Sequence, residues 1–158
     1  MLVYLVRHGE ALSEEEERSR PLSESGRNNI QRIAGLLTNF IRILPGHIYH
    51  SPKARASQTA DIISKALPGS PAPSVQDGLL PLDDPSIWGD RLPNMDRDVL
   101  LVGHLPHLSR LASLLLLWEP GREIIDFSPG TVLCLEKTGD WKVKWMLTPR
   151  VLKGESRL

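Results

Sequence analysis

The stretch Leu2-Val3-Tyr4-Leu5-Val6-Arg7-His8-Gly9 decides how this chain is read. Leu2–Val6 is a short apolar run of the kind that forms a strand buried on both faces of a parallel sheet. It lacks the basic start and the long apolar region of a signal peptide, so it reads as a first strand. The pattern returns later, where Asp98 leads into Val99-Leu100-Leu101-Val102 and then Gly103-His104. Each run delivers a histidine just past its carboxyl end. In open α/β sheets ligands sit beyond that edge. If the two strands are neighbours, both imidazoles face one pocket.

Helical patterns fill the sequence between and after these runs. Pro21-Leu22-Ser23 opens the first, with Ser23 or Ser25 as cap, and Ile30, Ile33, Ala34, Leu37 and Ile41 recur at helical spacing until Leu44-Pro45-Gly46 stops it. His47–His50 reads as a short extended piece. Ser51-Pro52 then looks like an N-cap followed by proline at the first helical position, which puts Arg55 and Ser57 in or near the first turn. Pro68–Pro93 holds six prolines and is expected to be loop with a short helical turn near Trp88. Pro106 can start another helix, with Leu108, Leu111, Ala112, Leu115 and Leu116 on one face. Thr131–Lys137 and Trp141–Leu147 are β-rich runs separated by Thr138-Gly139-Asp140, a hairpin signal. Alternating strands and helices predict an α/β fold with a mostly parallel sheet flanked by helices.

At 158 residues the chain is expected to be a single domain spanning 1–158. Nineteen Lys and Arg balance nineteen Asp and Glu, so no global field favours nucleic acid or an anionic membrane as partner. Thirteen of the basic residues are Arg, the better fork for phosphate. Cys134 is the one cysteine, which excludes an internal disulfide framework and suits a cytoplasmic location. Its alternation with strand neighbours marks it as an inert packing residue. Leu114–Trp118 falls far below the roughly 18 apolar residues of a membrane span. The acids Glu14–Glu17 read as a solvated loop.

The two histidines at the sheet edge suit a phosphoryl group. A neutral imidazole is a nucleophile that can form a covalent intermediate. Phosphoryl transfer also needs cationic or hydrogen-bonding groups around the equatorial oxygens. Arg7 lies beside His8, Arg55 sits near a helix start where free N–H groups favour anions, and His104 can donate from its ring. That inventory needs neither metal nor cofactor. The pairs His47-x-x-His50 and His104-x-x-His107 are poorly supported by nearby acids and are set aside as metal ligands. The four tryptophans read as packing residues.

In these motifs the chain resembles the histidine phosphatase (phosphoglycerate mutase-like) superfamily. Arg7-His8-Gly9 stands after the first strand, and Pro21-Leu22-Ser23-Glu24-Ser25-Gly26 matches a Pro-Leu-Ser/Thr-x-x-Gly element. Ser51-Pro52-Lys53-Ala54-Arg55-Ala56-Ser57-Gln58-Thr59 matches a Ser-Pro-x-x-Arg-Ala-x-Gln-Thr block, and Gly103-His104 matches the second histidine. The short length, Arg20-Pro21-Leu22, Gly103-His104-Leu105-Pro106 and the ending Trp145–Pro149 are similar to the short bacterial phosphohistidine phosphatases of the SixA type. The resemblance implies a phosphorylated nucleophile at His8 and a phosphate pocket of Arg7, Arg55 and His104, with Arg20 adding a contact.

One departure concerns the general acid. Larger relatives carry a glutamate in the middle segment, whereas here only Asp77, Asp83, Asp84 and Asp90 offer themselves. A phosphoramidate tolerates its loss better than an alkyl ester, because protonated phosphohistidine has a good leaving group. The expected activity is therefore hydrolysis of phosphohistidine on a partner protein by a cytoplasmic, monomeric, metal-independent enzyme. His8 must be neutral to attack, with its other ring nitrogen donating to a backbone carbonyl. Pro68–Arg97 offers little length for a lid, so an open mouth is expected. The alternatives are a phosphatase or mutase for a small metabolite, and a weakly catalytic module that binds phosphorylated partners.

Overall fold

Alternation along the central strands builds the molecule in three layers. The computed structural model describes residues 1–152. In chain order the elements are β1 (Leu2–Arg7), α1 (Glu24–Leu36), β2 (His47–His50), α2 (Ala54–Ala66), β3 (Ser74–Val75), α3 (Ser86–Arg91), β4 (Val99–Gly103), α4 (His107–Leu117), β5 (Val132–Thr138), β6 (Asp140–Leu147) and α5 (Pro149–Leu152). The sheet runs β3-β2-β4-β1-β5-β6. The pairs from β3 to β1 are parallel, and β5 and β6 are antiparallel additions at one side. Successive strand residues point to opposite faces. Tyr4, Val6, Leu100 and Val102 therefore join Ile30, Ile33 and Ile63 of α1 and α2 on one face. Val3, Leu5, Val99 and Leu101 join Trp88, Leu108 and Leu111 of α3 and α4 on the other.

The register of the two histidine-bearing strands matters most. β1 and β4 are direct neighbours, with Val6 opposite Val102 and Arg7 opposite Gly103. His8 and His104 are the next residues on each strand, so they leave the sheet side by side.

Helix starts and stops differ from the sequence expectation in two places. Ser23 caps α1, its hydroxyl accepting from the Gly26 N–H at 3.0 Å. The helix does not run on to Leu44-Pro45-Gly46. It passes into a π-helical turn, Leu37–Ile41, and ends at Arg42 in the left-handed conformation (φ 60°). The second difference is α2, which begins at Ala54 with Lys53 as its extended flanking residue rather than with Pro52 at its first position. Ser51 does not cap it: it stands two residues before the flanking Lys53, and its hydroxyl meets His104 and the Lys53 N–H rather than an N–H inside the helix. Arg55 nevertheless lies in the first turn, as expected.

The proline-rich segment is more ordered than a plain loop. It adds the edge strand β3 beside Tyr49 and His50, and then α3, whose Trp88 is buried in the core. The hairpin turns at Gly139 (φ 91°), and its β6 strand brings Trp145 against Tyr4 at 5.9 Å between ring centroids. Among the described residues, no helix is long and apolar enough to cross a membrane.

Candidate active site

His8 is held by its neighbours on every side. Its backbone N–H donates to Gly103 O at 3.1 Å, which ties it to the end of β4. Its Nδ1 lies 2.7 Å from the carbonyl of Gly9. A carbonyl only accepts, so Nδ1 carries the proton and Nε2 keeps its lone pair. Arg55 Nε donates to that nitrogen at 3.3 Å. Close packing of this turn on α1 favours glycine next door: a Cβ on Gly9 would stand 2.8 Å from Ile30 Cγ1. The Gly9 N–H donates to Thr59 Oγ1, and that hydroxyl donates to Arg55 O, so α2 is bolted to the His8 turn.

His104 faces His8 with ring centroids 4.9 Å apart and planes inclined by 55°. It is 2% exposed. Its Nε2 is 2.5 Å from Ser51 Oγ, and its Nδ1 is buried without a partner. Arg7, the last residue of β1, donates from one terminal nitrogen to Phe127 O at 2.5 Å, while its Nε is buried and unpaired. Arg20 sits in the left-handed region (φ 48°) on the loop before α1, with Nε donating to Leu12 O at 3.2 Å. That loop is closed by the Ala11–Leu22 bridge and pinned to α2 where the Leu22 N–H donates to Gln58 Oε1 at 2.8 Å. Arg20 is near enough to bias both His8 and Arg55 electrostatically.

The structure thus gathers Arg7, His8, Arg55 and His104 at one edge, with Arg20 facing them from the loop. Both rings are neutral over the physiological range. Burial pushes His8 down to about 4 against the pull of its bond to Gly9, and Arg55, Arg7 and Arg20 push the same way. Burial, then His8 and Arg55, lower His104 to about 3. Desolvation also lowers Arg7 and Arg55, the mark of guanidinium groups withdrawn from water with their charge incompletely balanced. An anion beside them would relieve that imbalance.

Three of the four candidate acids are otherwise occupied. Asp77 is bidentate to Arg91 at 2.8 and 3.0 Å, and this partner holds its carboxyl below the usual range. Asp84 accepts from the Ser86 N–H and Asp83 from the Leu80 N–H. Asp90 lies in α3. No group of three metal-ligating side chains occurs among the described residues. His47 and His50 lie three apart on β2, so they point to opposite faces. The sequence reading gave no role to Gln58 or Thr59 and took Ser51 only as a helix cap. The signal was present in the Ser-Pro-x-x-Arg-Ala-x-Gln-Thr block, whose polar positions now prove to be its contacts with His104, the Arg20 loop and Gly9.

Residues 3–80 match the family model of the histidine phosphatase superfamily (branch 1). No curated protein matches the chain. Among solved structures, the protein histidine phosphatase SixA complexed with tungstate is 25% identical, with a TM-score of 0.83 over 96% of this chain and 99% of that one. A phosphoserine phosphatase from Entamoeba histolytica, in complex with phosphoserine, is 16% identical, with a TM-score of 0.70 over 96% and 98%. The alpha-ribazole phosphatase from Shigella flexneri is 14% identical, with a TM-score of 0.78 over 94% and 97%. The fold is common to all three, and the motif block that carries Arg7, His8 and Arg55 lies inside the matched segment. Over residues 3–80 the chain matches the histidine phosphatase superfamily, and over nearly its whole length it shares the fold of SixA.

Proposed function

We propose that this protein is a phosphohistidine phosphatase that works through a covalent phospho-His8 intermediate, without a metal. The observation that carries the reading is the orientation of His8. Gly9 O accepts from Nδ1–H at 2.7 Å, which leaves the lone pair on Nε2, facing Arg55 Nε and on the ring that stands opposite His104. In the first step Nε2 gives up its hydrogen bond from Arg55 Nε and attacks phosphorus in line, and the bond to the substrate's imidazole nitrogen breaks. The departing ring leaves neutral, because protonated phosphohistidine already carries the needed proton. Arg7, Arg55 and His104 bind the equatorial oxygens, and Arg20 adds a cation at the mouth. Water then attacks phospho-His8, its proton staying with the inorganic phosphate released, and His8 is regenerated.

Phosphohistidine on a protein is supported by two features, one for the bond and one for the carrier. The acids between β3 and α3 are held ionised or engaged with backbone, so none is poised to protonate an alkoxide leaving group. An open groove of about 540 Å³ also runs from Leu105, next to His104, to Phe127, whose carbonyl holds Arg7. Its walls adjoin His104 in sequence and Arg7 by hydrogen bond, and it would offer polypeptide a seat. The likeness to a SixA complexed with tungstate, a tetrahedral oxyanion, supports a phosphoryl site at this edge. The test is rapid quench with a labelled phosphohistidine protein in excess chelator. Acid-labile, base-stable label should appear on His8 and vanish in His8→Ala. Label on a serine, or turnover that chelator abolishes, would overturn the mechanism.

A further inference from the structure

Ser51 lies at the carboxyl end of β2 and is fully buried. Its Oγ has two recorded partners, His104 Nε2 at 2.5 Å and the Lys53 N–H at 3.3 Å. The Lys53 N–H can only donate. The hydroxyl's own proton therefore needs an acceptor, and Nε2 is the partner able to take it. A neutral imidazole that accepts at Nε2 must carry its proton on Nδ1. That nitrogen is buried and has no partner in the protein. A buried donor left unsatisfied is costly and calls for a ligand or another polar atom.

We propose that Ser51 is a positioning residue: it donates to His104 Nε2, holds the free enzyme's His104 as the Nδ1–H tautomer, and thereby keeps Nδ1–H as the ring's uncommitted donor for a phosphoryl oxygen. The two histidines are then locked by opposite devices to complementary ends. On His8 a carbonyl fixes the proton on Nδ1 and frees Nε2 as nucleophile. On His104 a hydroxyl occupies Nε2 and frees Nδ1–H as donor. The placement of Ser51 is a tertiary effect, since its own N–H bonds Val102 O two residues before His104. The role assigned to the donor rests on the phosphatase reading above, whereas the tautomer does not.

The experiment is ring-nitrogen NMR on the full chain labelled with ¹⁵N-histidine at pH 7, with the His104 signals identified by their loss in His104→Gln. The expected spectrum has His104 Nδ1 protonated and Nε2 as a hydrogen-bonded acceptor. Protonation at Nε2 instead would overturn the proposal. Ser51→Ala should lose the fixed tautomer and lower kcat/KM for an aryl phosphate by roughly 10–100-fold, the usual loss on removing a partner that orients a functional histidine. Ser51→Thr, which keeps a hydroxyl, should restore both. An unchanged His104 tautomer in Ser51→Ala would also overturn the proposal. Should Ser51→Ala fail to fold, the wild-type and Ser51→Thr spectra decide. An Nδ1–H tautomer in a protein without phosphatase turnover would sink the functional reading and leave this one standing.

Discussion

Arg55 reaches His8 through Nε, which leaves its two terminal nitrogens for phosphoryl oxygens. Lysine has one point charge and cannot do both. Arg55→Lys should therefore cost roughly 2–4 kcal/mol of transition-state stabilisation, as removal of one oxyanion donor does. Steady-state kinetics should show kcat/KM reduced by about two to three orders of magnitude; a value within about threefold of wild type would place Arg55 outside the pocket. The histidines make a second prediction. Protonation of His8 consumes its lone pair, so kcat/KM should fall as pH drops through about 4, well below the 6.5 of an ordinary histidine. Stability follows the same sign. Between pH 6.5 and the lowered values of about 4 and about 3, the unfolded chain binds protons that the folded chain excludes. The contribution is whole above about pH 6.5 and is lost as pH falls. An acid limb near 6.5 in the kcat/KM profile would contradict this placement of His8.

Two glycines of α1 separate what an element needs from what its surroundings need. Gly26 lies in the first turn, and a Cβ there would stand 2.0 Å from Glu10 O, a backbone atom two residues after His8. Gly26→Ala should destabilise the protein by roughly 1–3 kcal/mol, as overpacking does, and also lower activity by moving the His8 turn. Gly35 on the same helix has nothing within 4 Å of its would-be Cβ. Gly35→Ala should stabilise by about 0.4–1 kcal/mol through helix propensity and a less free unfolded chain. Urea unfolding of both variants checks the opposite signs. The start of α1 was readable in Ser23 and the periodic apolar residues that follow it. The start of α2 differs from the expectation, because Ser51 has the side chain of a cap but shares its hydroxyl between the Lys53 N–H and a residue 53 positions away. Local propensity carries no record of such a partner.

Across the molecule, the segment that would have to form a lid is committed elsewhere. Leu79, Trp88 and Leu92 are buried in the sheet face packed by α4, so much of the proline-rich stretch serves the core. A site without a deep cover gives a small metabolite few contacts beyond its phosphate. Free sugar phosphates and phosphoserine should therefore turn over poorly compared with a phosphohistidine protein. The check is kcat/KM across that panel, and a metabolite that wins by about tenfold or more would transfer the activity to small substrates while leaving the phosphatase assignment intact.

The sequence by itself determined the layers and the edge at which chemistry collects. Apolar runs ending in Arg7-His8-Gly9 and Gly103-His104 specify buried strands by their alternation, and a parallel sheet exposes its ligand edge where those strands stop. Only the tertiary structure decided that β1 and β4 are neighbours in a register that sets His8 beside His104, since strand order depends on crossovers that no local pattern encodes. It also decided which ring nitrogen is free. That depends on single hydrogen bonds: Gly9 O to one histidine is local, but Ser51 to the other joins two strand ends far apart in sequence. A motif names the residues that meet, and the fold sets the atoms through which they do so.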